Sequence, residues 1–260
     1  MISRKTSLGL MIALTLGLVV VCCMLPRIPQ PLSYHDFADG RGFLGIPNFG
    51  DVASNLPFAV IGVWGLLFLL RADGRENAKP FLDRREQWPY LFVFVGLLLT
   101  AFGSTYYHLA PDNARLVWDR LPMTITFMAL VAAVVAERIS VRLGFWLLPV
   151  LMLIGMGSVL QWNWSEIHGV GDLRFYAAVQ VYSVLVVLLA LLFPHRYTHA
   201  SDFGFVIGFY VLAKVLETFD KPIFAFLQVV SGHTLKHFAA AAAGYFIFRM
   251  LQKREPVTTS

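Results

Sequence analysis

Apolar residues in this chain fall in long blocks, separated by short clusters of charge, proline and glycine. Eight blocks stand out, near residues 7–25, 52–71, 89–109, 118–137, 143–161, 173–193, 202–219 and 232–250. A helix of about 17 to 25 residues crosses a hydrocarbon core of roughly 30 Å, and each block is of that order. The pattern predicts an all-α polytopic membrane protein, in which each spanning helix satisfies its own backbone hydrogen bonds. The seventh block is the least clean, because Lys214 and Glu217 fall inside it. The organisation expected is a transmembrane anchor at 1–30, a seven-transmembrane domain at 31–250 and a cytoplasmic tail at 251–260.

Composition agrees. Of 260 residues, 57% are hydrophobic and 14% charged, against roughly a quarter charged in soluble domains. The formal net charge of +5 reports topology and not a nucleic-acid partner. With Arg4 and Lys5 inside, the inner turns collect Arg71, Arg75, Lys79, Arg84, Arg85, Arg138, Arg142, Arg196, Lys253 and Arg254, while Asp36, Asp39, Asp51, Glu166 and Asp172 fall outside. This is the positive-inside distribution. Cys22 and Cys23, the two cysteines, are adjacent and give neither a disulfide framework nor a metal spacing. The first block has a basic start but no small-residue cleavage site after it, so an uncleaved anchor is expected over a signal peptide. Compact loops and the lack of an ER-retention tail point to a bacterial inner membrane, with an ER or Golgi membrane as the alternative.

Against this background five polar residues stand out: Ser104, His108, Asp119, His233 and His237. An ionisable side chain at the centre of a spanning helix costs about 2.5 to 3.5 kcal/mol on insertion scales. The expected topology places all five at one depth, near the outer face. Residues four apart on a helix are turned by only about 40° and stand about 6 Å apart along the axis, so His233 shares a face with His237, and Ser104 with His108. The segment 109–115 carries Pro111, Asp112 and Asn113, which predict a tight antiparallel hairpin that returns Asp119 to His108.

Three neutral imidazoles with one open position suit catalytic zinc. His108, His233 and His237 are the candidate ligands. In the helix motif of zinc metalloproteases a glutamate base follows the first histidine, but Thr234 stands there. The carboxylate in reach is Asp119, as base or as the group that orients a ligand histidine, and Ser104 is placed to stabilise an oxyanion. Each residue also has an ordinary reading. A buried histidine commonly bonds to a neighbour, a membrane-helix serine bonds back to its own helix, and Asp119 suits a helix N-terminus. Paired histidines also serve haem or quinones, although axial haem ligation usually takes them from opposing faces.

At these residues the chain resembles the alkaline ceramidase family, within the wider CREST superfamily of membrane hydrolases. The likeness lies in Gly103-Ser104-Thr105-Tyr106-Tyr107-His108, in Trp118-Asp119-Arg120-Leu121-Pro122-Met123 and in Ser231-Gly232-His233-Thr234-Leu235-Lys236-His237. It covers the second to eighth blocks and leaves the first as an addition to a seven-helix core. The resemblance implies zinc on the three histidines, Ser104 and Asp119 completing a catalytic site, and a membrane lipid substrate, a ceramide cleaved to sphingoid base and fatty acid. Protein partners are not indicated. Other N-acyl lipids or esters are alternative substrates, and a lipid-sensing receptor with a structural zinc is an alternative role; an acid at 119 favours chemistry.

Tyr34–Arg41 and Asn48–Asn55 resemble the region where some family members hold calcium. Asp36, Asp39 and Asn48 offer the oxygen ligands that calcium prefers, while Arg41 stands where another donor would be useful. The alternative is a turn and cap cluster, with Asn48 or Asp51 starting a helix. Glu217, Asp220 and Lys221 suit either support of the site or an interfacial ion pair. His35 and His168 are expected to be solvated loop residues.

Overall fold

A computed structural model describes residues 3–72 and 80–257. In chain order its helices are α1 (Arg4–Met24), α2 (Phe49–Ala53), α3 (Leu56–Ala72), α4 (Gln87–Leu109), α5 (Asn113–Arg138), α6 (Val141–Ile167), α7 (Arg174–Ala190), α8 (Asp202–Thr218), α9 (Asp220–Leu227) and α10 (Gly232–Lys253). Every predicted block is helical, and among the described residues extended structure is limited to two isolated bridges. Among the described residues five segments are long and apolar enough to cross a membrane, namely Arg4–Met24, Phe49–Arg71, Arg84–Leu109, Asn113–Arg138 and Val141–Ile167. The chain is an all-α polytopic membrane protein. Helix α7 is apolar but shorter; charge dilutes α8 through Lys214 and Glu217, and the first turns of α10 carry His233, Lys236 and His237.

Capping residues move several helix starts away from the hydropathy limits. Asp112 accepts from Arg115 N at 2.7 Å, so α5 begins at Asn113 and not near 118. Ser231 accepts from Thr234 N at 3.0 Å and opens α10. Between α2 and α3 the helix breaks at Ser54-Asn55, just before Pro57, which suits a first turn and not a helix interior. The short helix α9 has no counterpart in the hydropathy pattern, because eight residues are too few to register as a span.

Helices α3, α4, α5, α6, α7, α8 and α10 close a ring, each packing on the next and α10 returning to α3, while α5 also reaches α7. Helix α1 stays outside, against α7. The α4–α5 contact depends on glycine: a Cβ at Gly103 would stand 2.0 Å from the Trp118 carbonyl oxygen. Backbones that close leave no room for a side chain.

The ring has two polar ends. One gathers the last turn of α4 and the starts of α5 and α10, with the candidate residues. The other holds the basic residues of the expected inner face; Arg75 and Lys79 lie outside the described residues. There Arg254, in the C-cap of α10, pairs with Glu137 and donates to Pro80 O at 2.6 Å, and Tyr90 donates to Glu137 at 2.9 Å. Arg196 donates to Glu86 at 2.6 Å. These acids are buried and each meets a cation, as burial of charge requires.

Candidate metal centre

The α4 terminus presents His108 and the first two turns of α10 present His233 and His237, all three nearly inaccessible. One nitrogen from each lies within 4.8 Å of the others, a buried group able to hold a metal ion. His108 Nε2 and His233 Nε2 are 3.3 Å apart. Two nitrogens on a tetrahedral metal at about 2.0–2.1 Å would be roughly 3.3–3.4 Å apart, so the pair already has that spacing. Among the described residues His108 Nδ1 has no partner.

The third histidine is oriented by its neighbours. Ser54 Oγ lies 2.7 Å from His237 Nδ1 and donates its single proton to the Asp51 carbonyl at 3.1 Å. The hydroxyl therefore accepts from Nδ1–H, which leaves the Nε2 lone pair of His237 for a metal. Asp51, fully buried, accepts from Thr234 Oγ1 at 2.7 Å. This ties α2 to α10.

Asp220 makes a second tie. Its Oδ1 accepts from His233 N at 2.7 Å, which satisfies an orphan donor at the start of α10, and its Oδ2 accepts from Ala38 N at 2.9 Å. The loop so held lays the Phe37 ring 4.3 Å from that of His233 and 4.7 Å from that of His108. Bulk water is kept from that side of the histidines.

On the other side a cavity of about 330 Å³ runs into the ring, at the small end of the roughly 300–1,000 Å³ usual for ligand sites. Its polar end has His237, Ser104, Asp119, Arg120, Lys236 and Glu217 in the wall; its depth is apolar, with Leu97, Leu130, Val187 and Ile247. Ser104 and Asp119 are both buried and share this end of the cavity wall. Glu217 pairs with Lys236 at 2.8 Å and also with Lys214. A polar head and an apolar depth suit an amphiphile with one long chain.

The residues considered for calcium have other partners. Asp39 is clasped by Arg41, at 2.7 Å to Nε and 2.8 Å to Nη2, and those hydrogen bonds hold its carboxyl below the usual range. Asp36 pairs with Lys221. Asn48 precedes α2 in the left-handed conformation (φ 48°) and donates to the His108 carbonyl at 2.8 Å. Arg41 continues to the carbonyls of Gln228 (3.2 Å) and Val229 (2.8 Å), so a guanidinium bridges this loop to the α9–α10 connection.

Other expectations divide. Asp220 supports the site, Glu217 lines the cavity, and Lys221 forms a surface pair. His168 is exposed. His35 is not a free loop residue: its nitrogens meet Tyr107 Oη at 2.8 Å and Asn113 Oδ1 at 2.9 Å, which fastens the Leu32–His35 turn to the α4–α5 hairpin. Ser54, Phe37, Arg120 and Lys236 reach the site without having been singled out by sequence. Lys236 carried a signal, a charge flanked by two histidines in an apolar run; Ser54 and Phe37 carried none.

No family model matches the chain, and no curated protein matches it.

Proposed function

We propose that this protein is a zinc-dependent amidohydrolase of the membrane, cleaving the amide of a ceramide-like lipid to a long-chain base and a fatty acid. The observation that carries the reading is that three buried histidine nitrogens converge, and that one of these histidines, His237, lines an apolar cavity together with Ser104 and Asp119. The donor set fits zinc: three neutral imidazoles, one fixed in its tautomer by Ser54, with the 3.3 Å spacing a tetrahedral ion accepts. Bound zinc supplies Lewis-acid polarisation of a carbonyl and acidifies water near neutral pH.

The chain's own groups complete the chemistry. Asp119 takes the proton released as water adds to the amide carbon, and delivers it to the nitrogen as the carbon–nitrogen bond breaks. Ser104, in the same wall of the cavity, can turn its hydroxyl toward the developing oxyanion. The apolar depth receives the acyl chain, and Phe37 closes the loop side. The likeness of residues 103–108, 118–123 and 231–237 to the alkaline ceramidases supports the same reaction, with the site on the outer side of the membrane by the positive-inside distribution.

Purified protein offered ceramide, an N-acyl ethanolamine and a long-chain ester tests the reading. Fatty acid release from the amides, lost in Asp119→Asn, is the expected result; release from the ester alone would replace amide with ester as the substrate class.

A further inference from the structure

Arg120 lies in the wall of the cavity and is 4% exposed. Its guanidinium carbon sits 4.2 Å from the centre of the Trp162 ring, 4.7 Å from that of Tyr176 and 5.4 Å from that of Tyr34. Nη2 donates to Gln30 Oε1 at 2.7 Å, and Nη1 has no partner among the described residues. Aromatic faces stabilise a cation from above and below, but they do not accept hydrogen bonds in the guanidinium plane. No carboxylate among the described residues pairs with it. A buried charged donor without an acceptor is costly, and Arg120 is the cation in the cavity wall that no carboxylate among the described residues meets.

The other charges of the cavity do not compete for that role. Lys214 and Lys236 both meet Glu217. Adjacent helical residues are turned by about 100°, so Arg120, which faces Trp162 of α6 and Tyr176 of α7, points away from the direction of Asp119. Cations also outnumber carboxylates in the wall: Arg120, Lys214 and Lys236 against Asp119 and Glu217.

We propose that Arg120 anchors an oxyanion, carboxylate or phosphate, carried by the long-chain amphiphile that fills this cavity. The oxyanion comes either from an acidic head group of the substrate or from the fatty acid that hydrolysis releases; in both forms the proposal rests on the amidase reading for its turnover arm, and not for its binding arm. Arg120 is the specificity residue of the site, and an occupant with a cationic head is disfavoured beside it.

The binding arm measures palmitate and hexadecanamide, matched in chain length, on purified wild type, R120Q and R120K in detergent, with and without removal of metal by chelation. Charge-assisted hydrogen bonds are worth enough that R120Q should weaken palmitate about tenfold or more. Hexadecanamide should bind R120Q as it binds wild type, R120K should recover part of the palmitate affinity, and chelation should leave the contrast in place. Equal loss of both ligands in R120Q, no loss of either, or palmitate binding that disappears on chelation alone overturns the proposal. The turnover arm compares N-palmitoylglycine with N-palmitoylethanolamine. A wild-type preference for the acidic head that R120Q erases assigns the oxyanion to the substrate; palmitate anchoring without such a preference assigns it to the product. Failure to cleave either amide counts against the amidase reading and leaves the binding result to decide the role of Arg120.

Discussion

Ser54 Oγ and His237 Nδ1 lie 2.7 Å apart, joining the break between α2 and α3 to the second turn of α10. The serine proton goes to the Asp51 carbonyl, so the ring is held as the Nδ1–H tautomer with Nε2 toward the other histidines. Partners of this kind typically contribute 10- to 100-fold in metal affinity. Ser54→Ala is expected to weaken zinc by about that factor while the protein still folds. Competition with a zinc chelator measures it, and unchanged affinity would remove Ser54 from the site.

Gly103 sets the distance between α4 and α5 one residue from Ser104. A methyl group would meet the Trp118 carbonyl at 2.0 Å, and over-packing of this sort typically costs about 1–3 kcal/mol. Gly103→Ala should therefore lower the unfolding midpoint and move Ser104 away from Asp119, reducing turnover more than zinc content. Gly157→Ala, with nothing within 4 Å of the added carbon, serves as a neutral control. A Gly103→Ala protein as active as wild type would show that the Ser104–Asp119 spacing does not govern the reaction.

The Asp39–Arg41 clasp has a defined pH range. Hydrogen bonds from Arg41 depress the Asp39 carboxyl. A carboxylate lowered on folding stabilises above its unfolded pKa, near 3.9, and loses that contribution as pH falls through the depressed folded value. Loop 36–48 should thus keep its hydrogen-exchange protection from neutral pH down to about pH 4, and lose it only in stronger acid. Asp39→Asn should show reduced protection across the whole range. Protection that declines already between pH 6 and pH 5 would mean another group holds the loop.

Much of this architecture could be read from the chain. The helices follow from length and apolarity, and the coincidence of Ser104, His108, Asp119, His233 and His237 follows from topology and helical spacing, because each sits at a helix end that hydropathy locates. What could not be read depends on tertiary contact. Phe37 is an ordinary loop residue until the 36–41 loop folds over α10. Asp36, Asp39 and Asn48 look like a set of oxygen ligands in sequence; in three dimensions Lys221, Arg41 and the His108 carbonyl each take one of them. Arg120 sits in a recognisable motif, yet its lack of a counter-charge appears only once Trp162, Tyr176 and Gln30 surround it.

At the opposite end of the ring, Arg254 and Glu137 are buried together. Removing one member of a buried pair strands the other, at a cost of about 3–5 kcal/mol. Arg254→Met should lower the thermal midpoint in detergent strongly, and the double variant Arg254→Met, Glu137→Gln should recover part of the loss. An Arg254→Met protein with an unchanged midpoint would show that the pair is solvated in the membrane protein.

His108, His233 and His237 are proposed together to hold a catalytic zinc. Elemental analysis and fatty acid release should be measured on the same preparations of wild type, His108→Ala, His233→Ala and His237→Ala. About one zinc per wild-type chain is expected, with both metal and fatty acid release lost in each variant that remains folded. A folded His233→Ala protein that retains full zinc and full hydrolysis would contradict it.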